Sequence, residues 1–168
     1  MKDTENAALA LLEATPAVLR ELVGRLPVEI VEAPLDRGWS VKQMLAHFVD
    51  VEVVAFRDRL RRMVEEERPA IPSIDAMARI DEMGWQARSV ESLLDELERE
   101  RGATCRWLRT LTDGQLTRPG EHDTAGEISV SNVLHYWPTH DMAHLRHIQR
   151  MLAAVLGHEM GNAKDYDV

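Results

Sequence analysis

Apolar residues recur every three to four positions along most of this chain, and that period limits the fold more than any other feature. The stripe is clearest over about residues 89–111, where Val90, Leu93, Leu94, Leu97, Cys105, Leu108 and Leu111 share one helical face. No period-two alternation is sustained in the 168 residues, so strands are not expected. The pattern predicts four long amphipathic helices, over about residues 4–25, 40–67, 89–111 and 129–156. Such helices bury their stripes against one another, which makes the chain an all-α four-helix bundle. One domain over residues 1–168 accommodates them.

Local signals punctuate the helices. Thr15-Pro16 reads as a cap followed by proline at a first helical position, so a kink or restart is expected there. Pro27 and Pro34 bracket a loop, and Ser40 with Gln43 forms a capping box that opens the second helix. Pro69 and Pro72 close that helix, and an extra short helix, about 73–84, fills the connection to the third. Thr112 and Gln115 suggest a capped turn. Segment 118–126 is polar, with two glycines and one proline, and reads as a loop. Pro138 should kink the fourth helix or mark a restart, Gly157 should stop it, and about 157–168 should form a loose tail.

Composition excludes several roles. The net charge of −9 disfavours phosphate backbones, and no basic footprint for nucleic acid is evident. Arg57, Arg59, Arg61 and Arg62 are followed by Glu65, Glu66 and Glu67, a solvated, salt-bridged face. No apolar run approaches the roughly 18 residues of a membrane span. With a single cysteine, Cys105, and no apolar segment of signal type behind the first residues, a cytoplasmic protein without a membrane partner is expected. Cys105 on an apolar stripe reads as a small buried hydrophobe, and Trp39, Trp107 and Trp137 as core residues.

The histidines carry the chemistry. Projected at 100° per residue, Val133, Trp137, Ile148, Met151 and Val155 define an apolar face on the fourth helix, with His144 inside it and His140 at its border. Their i, i+4 spacing stacks two rings one turn apart, able to serve one metal ion. His47 borders the apolar face of the second helix and supplies a third imidazole. Three neutral imidazoles suit zinc, nickel, copper or iron(II), and three protein ligands leave an open position, as in catalytic sites. Glu52 and Asp141 also project into apolar stripes. A carboxylate buried without a partner is costly, so these two are candidates for orienting the histidines or carrying protons. His147, one turn beyond His144, is a candidate extra ligand or pocket group, whereas His122 and His135 should be solvated.

Three stretches give the chain a family resemblance. These are Leu12-Glu13-Ala14-Thr15-Pro16 leading on to Gly38-Trp39-Ser40 and His47; Asp50-Val51-Glu52; and His140-Asp141-Met142-Ala143-His144. In order and spacing they resemble the DinB/YfiT-like superfamily of small metal-binding bundles, from about Leu9 to Leu152. The resemblance implies His47, His140 and His144 as ligands of one divalent ion, zinc or nickel first, with iron or manganese also compatible. It also implies frequent homodimers. The glutamine common three residues after the last ligand is here His147. The activity so implied is metal-dependent transfer of a low-molecular-weight thiol to small electrophiles. The alternatives are a metal-dependent hydrolase and a non-catalytic, metal-binding dimeric stress protein.

Overall fold

The computed structural model describes residues 2–34, 38–82 and 84–165. Met83, in the expected short helix, and the tail residues 166–168 lie outside the described residues. Four long helical runs form the body: α1 (Asp3–Val23); α3 (Val41–Val51), continued by a π-helical segment (Glu52–Arg57) and α4 (Asp58–Glu65); α6 (Val90–Leu108); and α8 (Val130–Gly157). Short helices α2 (Val28–Glu32), α5 (Ala76–Glu82) and α7 (Asp113–Leu116) occupy the connections. Helix α1 packs against α6 and α8, and α3 packs against the same two, so the first two long helices sit on opposite corners of the bundle.

Hydrogen bonding accounts for the departures from simple periodicity. Helix α1 runs unbroken through Pro16, where a kink or restart was expected. Pro16 has no N–H for the Leu12 carbonyl one turn earlier; Arg101 Nη1 donates to that oxygen instead, at 2.8 Å. Thr15 caps nothing, and its hydroxyl donates back to Leu11 O at 3.2 Å. Helix α8 likewise continues through Pro138. The capping boxes at Ser40/Gln43 and Thr112/Gln115 are both formed.

The expected loop 118–126 is instead part of a small sheet. Strands β2 (Pro119–His122) and β3 (Gly126–Ser129) pair antiparallel, and β1 (Ala70–Ile71) adds in parallel to β2. A local hairpin and one distant segment build these strands, which are too short and glycine-rich to show a period. Gly120 is required by close approach: a Cβ there would stand 3.0 Å from Met63 Cγ and 3.1 Å from Ile71 Cγ1. Gly126 takes φ +71° as the hairpin returns, a conformation that favours glycine. The expected tail contains a 3-10 turn, Gly161–Asp165.

The arginine cluster also differs from a self-paired surface stripe. Arg62 pairs with Glu66, but Arg57 reaches Glu100 on α6, Arg59 donates to Pro72 O, and Arg61 lies over the Trp107 ring. The contacts of Arg57, Arg59 and Arg61 fasten the π-helical segment and α4 to their neighbours.

Two apolar clusters fill the bundle. One joins Leu9 and Leu12 of α1 to Leu60, Leu108, Leu134 and Trp137. The other joins Leu19 and Val23 of α1 to Leu45, Phe48, Leu97 and Ile148. Their α6 members stop at Leu97 and resume at Cys105, and their α8 members stop at Trp137 and resume at Ile148. The intervening layer holds the polar residues of the bundle interior.

Candidate metal centre

Three histidines meet in that layer. The Ser40 capping box fixes the start of α3 and hence the direction of His47 two turns later: Gln43 N donates to Ser40 Oγ at 3.1 Å, and Ser40 N donates to Gln43 Oε1 at 2.8 Å. A second box, Ser129 with Asn132, fixes the start of α8 and places His140 and His144 on consecutive turns. Nε2 of His144 lies 3.0 Å from Nε2 of His140 and 3.2 Å from Nε2 of His47. The three candidate donor atoms all fall within 4.8 Å of one another. An aromatic ring stands edge-on beside each imidazole: Trp39 by His47, Phe48 by His144 and Phe56 by His140. Trp39 thus lines the site as well as packing on the core.

Charge favours the form that binds metal. Burial, reinforced by neighbouring His140, lowers the pKa of His47 to about 4. Burial, then His140 and His47, lowers that of His144 to about 3. Both rings are therefore neutral near pH 7, with lone pairs available. Two nitrogens about 2.0–2.1 Å from one ion at a tetrahedral angle lie roughly 3.3 Å apart, close to the spacing seen. A single hydrogen-bonded proton satisfies only one such N···N pair, yet His144 Nε2 faces two nitrogens at once. The donor set fits one divalent ion. His47 is buried, while His140 and His144 are only partly so, which opens the cluster to solvent on the α8 side.

The two buried acids have a partner that reading one helix at a time misses. Arg101 of α6, 1% exposed, donates from Nε to Glu52 Oε2 at 2.6 Å and from Nη1 to Asp141 Oδ2 at 2.7 Å. With its bond to Leu12 O, this guanidinium ties all four long helical runs together. The signal lay in the sequence: Arg101 is four residues from both Leu97 and Cys105, on the apolar stripe itself. Glu52 is engaged with Arg101, and burial raises its pKa against the opposing pull of that charge. Asp141 also turns Oδ1 toward His140 Nδ1, 3.7 Å away. Burial acts to raise the Asp141 pKa, but the His140 contact and Arg101 together outweigh it and hold the carboxyl low. Asp50, the other acid of that motif, forms a two-pronged ion pair with Arg79 at 2.7 and 2.8 Å, docking α5 on α3.

The remaining histidines stay outside the cluster. His147 does not join the three donors. His135 Nδ1 lies 2.7 Å from Ser131 O on its own helix. His122 is half-buried on β2, where a solvated loop position was expected; its Nδ1 accepts from Thr124 N and Ala125 N in the hairpin turn.

The family model of the DinB superfamily matches residues 11–148, which contain all three clustered histidines and Arg101. The chain belongs to the DinB superfamily. A relative from Oceanobacillus iheyensis, provisionally named a metal-dependent hydrolase, is 27% identical over 138 residues, covering 82% of this chain and 79% of its own length. The structure of YfiT from Bacillus subtilis, described as a probable metal-dependent hydrolase with an unusual four-helix bundle topology, superposes with a TM-score of 0.84 at 29% identity. That match covers 94% of this chain and 90% of YfiT. The DinB fold and its family are thus established independently of the histidine geometry.

Proposed function

We propose that this protein is a metal-dependent hydrolase of small molecules, with His47, His140 and His144 holding one divalent ion. The observation that carries the reading is the convergence of the three Nε2 atoms, 3.0 and 3.2 Å apart, two of them on rings held neutral by burial. Imidazole donors suit zinc or nickel. When bound, the ion supplies Lewis acidity and a nucleophile at neutral pH.

The chain does the rest. Asp141, anchored by Arg101, faces His140 Nδ1 and can hold that ring with Nε2 toward the cluster. Trp39, Phe48 and Phe56 back the three rings and limit the space in which they can turn. The partly exposed edge of His140 and His144 is where water and substrate arrive. The two relatives named as metal-dependent hydrolases support this class of reaction.

Transfer of a low-molecular-weight thiol is a second reading, favoured by one observation. Both interior acids are at most 1% exposed and ion-paired with Arg101, which keeps them inside the bundle and away from an arriving water. A thiol ligated by a metal loses its proton without a general base. The protein loaded with zinc or nickel is tested against ester, amide and phosphoester panels, with and without bacillithiol, mycothiol or glutathione. Hydrolysis that needs the metal and no thiol supports the first reading. Turnover only with a thiol replaces it with the second, and no turnover in either arm contradicts both.

A further inference from the structure

Beside the histidine cluster lies a cavity of about 400 Å³, at the smaller end of the roughly 300–1,000 Å³ typical of ligand pockets. Phe56, Ile71, Ile128 and Val133 make its walls apolar. It shares a partition with the metal centre: Phe56 and Tyr136 line it, and their ring centroids stand 5.2 and 6.2 Å from that of His140. Phe56 is buried and stacked on Trp137 at 4.4 Å, whereas Tyr136 is 59% exposed and has room to move.

One cation lines this apolar space. Arg59 is half-buried and donates to Pro72 O, and among the described residues no carboxylate lies within ion-pair distance of it. It contrasts with Arg57, Arg62, Arg79, Arg101 and Arg109, each of which has a carboxylate partner. Burial pulls the Arg59 pKa down, only partly offset by the more distant Asp123 and by Tyr136. A guanidinium has five N–H donors, so one bond to a carbonyl leaves most of them unused. His122 joins it on the lining with Nδ1 occupied by the hairpin turn, which leaves Nε2 for a ligand.

We infer that this cavity is the substrate pocket of the adjacent metal centre, and that Arg59 selects small molecules carrying a carboxylate on an apolar body. The inference rests on the metal-dependent reading above and adds the substrate class. The apolar body displaces water from the walls formed by Phe56, Ile128 and Val133. The carboxylate takes the unused N–H groups of Arg59 in a charge-assisted, forked bond. The reacting group is then left on the Tyr136 side, next to His140.

Binding is measured on metal-free protein by calorimetry, so that the result does not depend on metal or turnover. The probes are 3-phenylpropanoate and hexanoate, each compared with its neutral amide. Wild-type protein is expected to bind the carboxylates at least tenfold more tightly than the amides. Arg59→Gln should remove that preference, a 10- to 100-fold loss for the acids with little change for the amides; Arg59→Lys should restore part of it. Equal affinity of wild type for acid and amide, or no binding of either at about 10 mM, overturns the inference without needing any variant to fold. If carboxylates bind as expected but metal does not, the pocket stands and the metal reading fails. If metal binds but carboxylates show no preference, the reverse holds.

Discussion

Asp141 accepts a hydrogen bond from Arg101 at 2.7 Å through one oxygen and turns the other toward His140, so one carboxylate joins the ion network of the bundle to a candidate metal ligand. The network also includes Glu52, and all three members are at most 1% exposed. Asp141, whose carboxyl is held low by His140 and Arg101, places a negative charge beside the three histidines, which favours a cation at the cluster.

Arg101 should be the most sensitive position in the fold. Arg101→Met removes the guanidinium that pairs with both buried acids and also strips the Leu12 carbonyl of its donor at the Pro16 gap. Breaking a buried ion pair costs about 3–5 kcal/mol. Urea unfolding followed by circular dichroism should show a loss of that order. A loss below about 1 kcal/mol would show that the network contributes little.

Asp141→Asn should separate positioning from ligation. The amide oxygen can still accept from Arg101, so the fold should survive, while the negative charge facing His140 is lost. Metal affinity, measured by competition with a chelator, should fall about 10- to 100-fold. Unchanged affinity would mean that Asp141 serves the fold alone.

Acid should destabilise the metal-free protein before its surface carboxylates titrate. His47 goes from 6.5 unfolded to about 4 folded. Between these values the unfolded chain holds more protons, so stability is highest above pH 6.5 and falls as pH drops toward 4. Fully expressed, that shift corresponds to roughly 3 kcal/mol. His144 acts in the same direction down to about 3. Thermal melts of chelator-treated protein at stepped pH should show the decline, and His47→Gln should flatten part of it. A melting temperature independent of pH between 6.5 and 4.5 would contradict the burial of these rings.

Much of this architecture is legible in the sequence, and the exceptions share a cause. The four long helices follow from the 3.6-residue period because their stripes are locally written. The Ser40/Gln43 box and the His140/His144 pair are equally local, each within one helical turn. What escapes is non-local. Strand β1 exists because Ala70 and Ile71 pair with Glu121 and His122 some fifty residues away. The continuity of α1 through Pro16 depends on an arginine from α6. Glu52 and Asp141 are recognisable as acids in apolar stripes that need a partner, but Arg101 emerges as that partner only when the helices are assembled. The π-helical turn at Glu52–Arg57, with i→i+5 bonding, breaks the period that a helical projection assumes.

Cys105 offers a check on the thiol reading. Burial pushes its pKa up to about 12, so it is held as an unreactive thiol. Native protein should not react with a thiol-specific reagent such as dithionitrobenzoate within minutes and should release one equivalent on unfolding. Fast native reaction would reveal a nucleophile inside the protein and would change the account of thiol chemistry.

The most direct test of the central claim is metal content. Protein purified without a histidine tag is loaded with zinc or nickel, dialysed and analysed by inductively coupled plasma mass spectrometry. Wild type, His122→Ala and His135→Ala should each retain about one ion per chain, while His47→Ala, His140→Ala and His144→Ala should lose most of it. Equal occupancy in all six proteins would contradict the three-histidine centre.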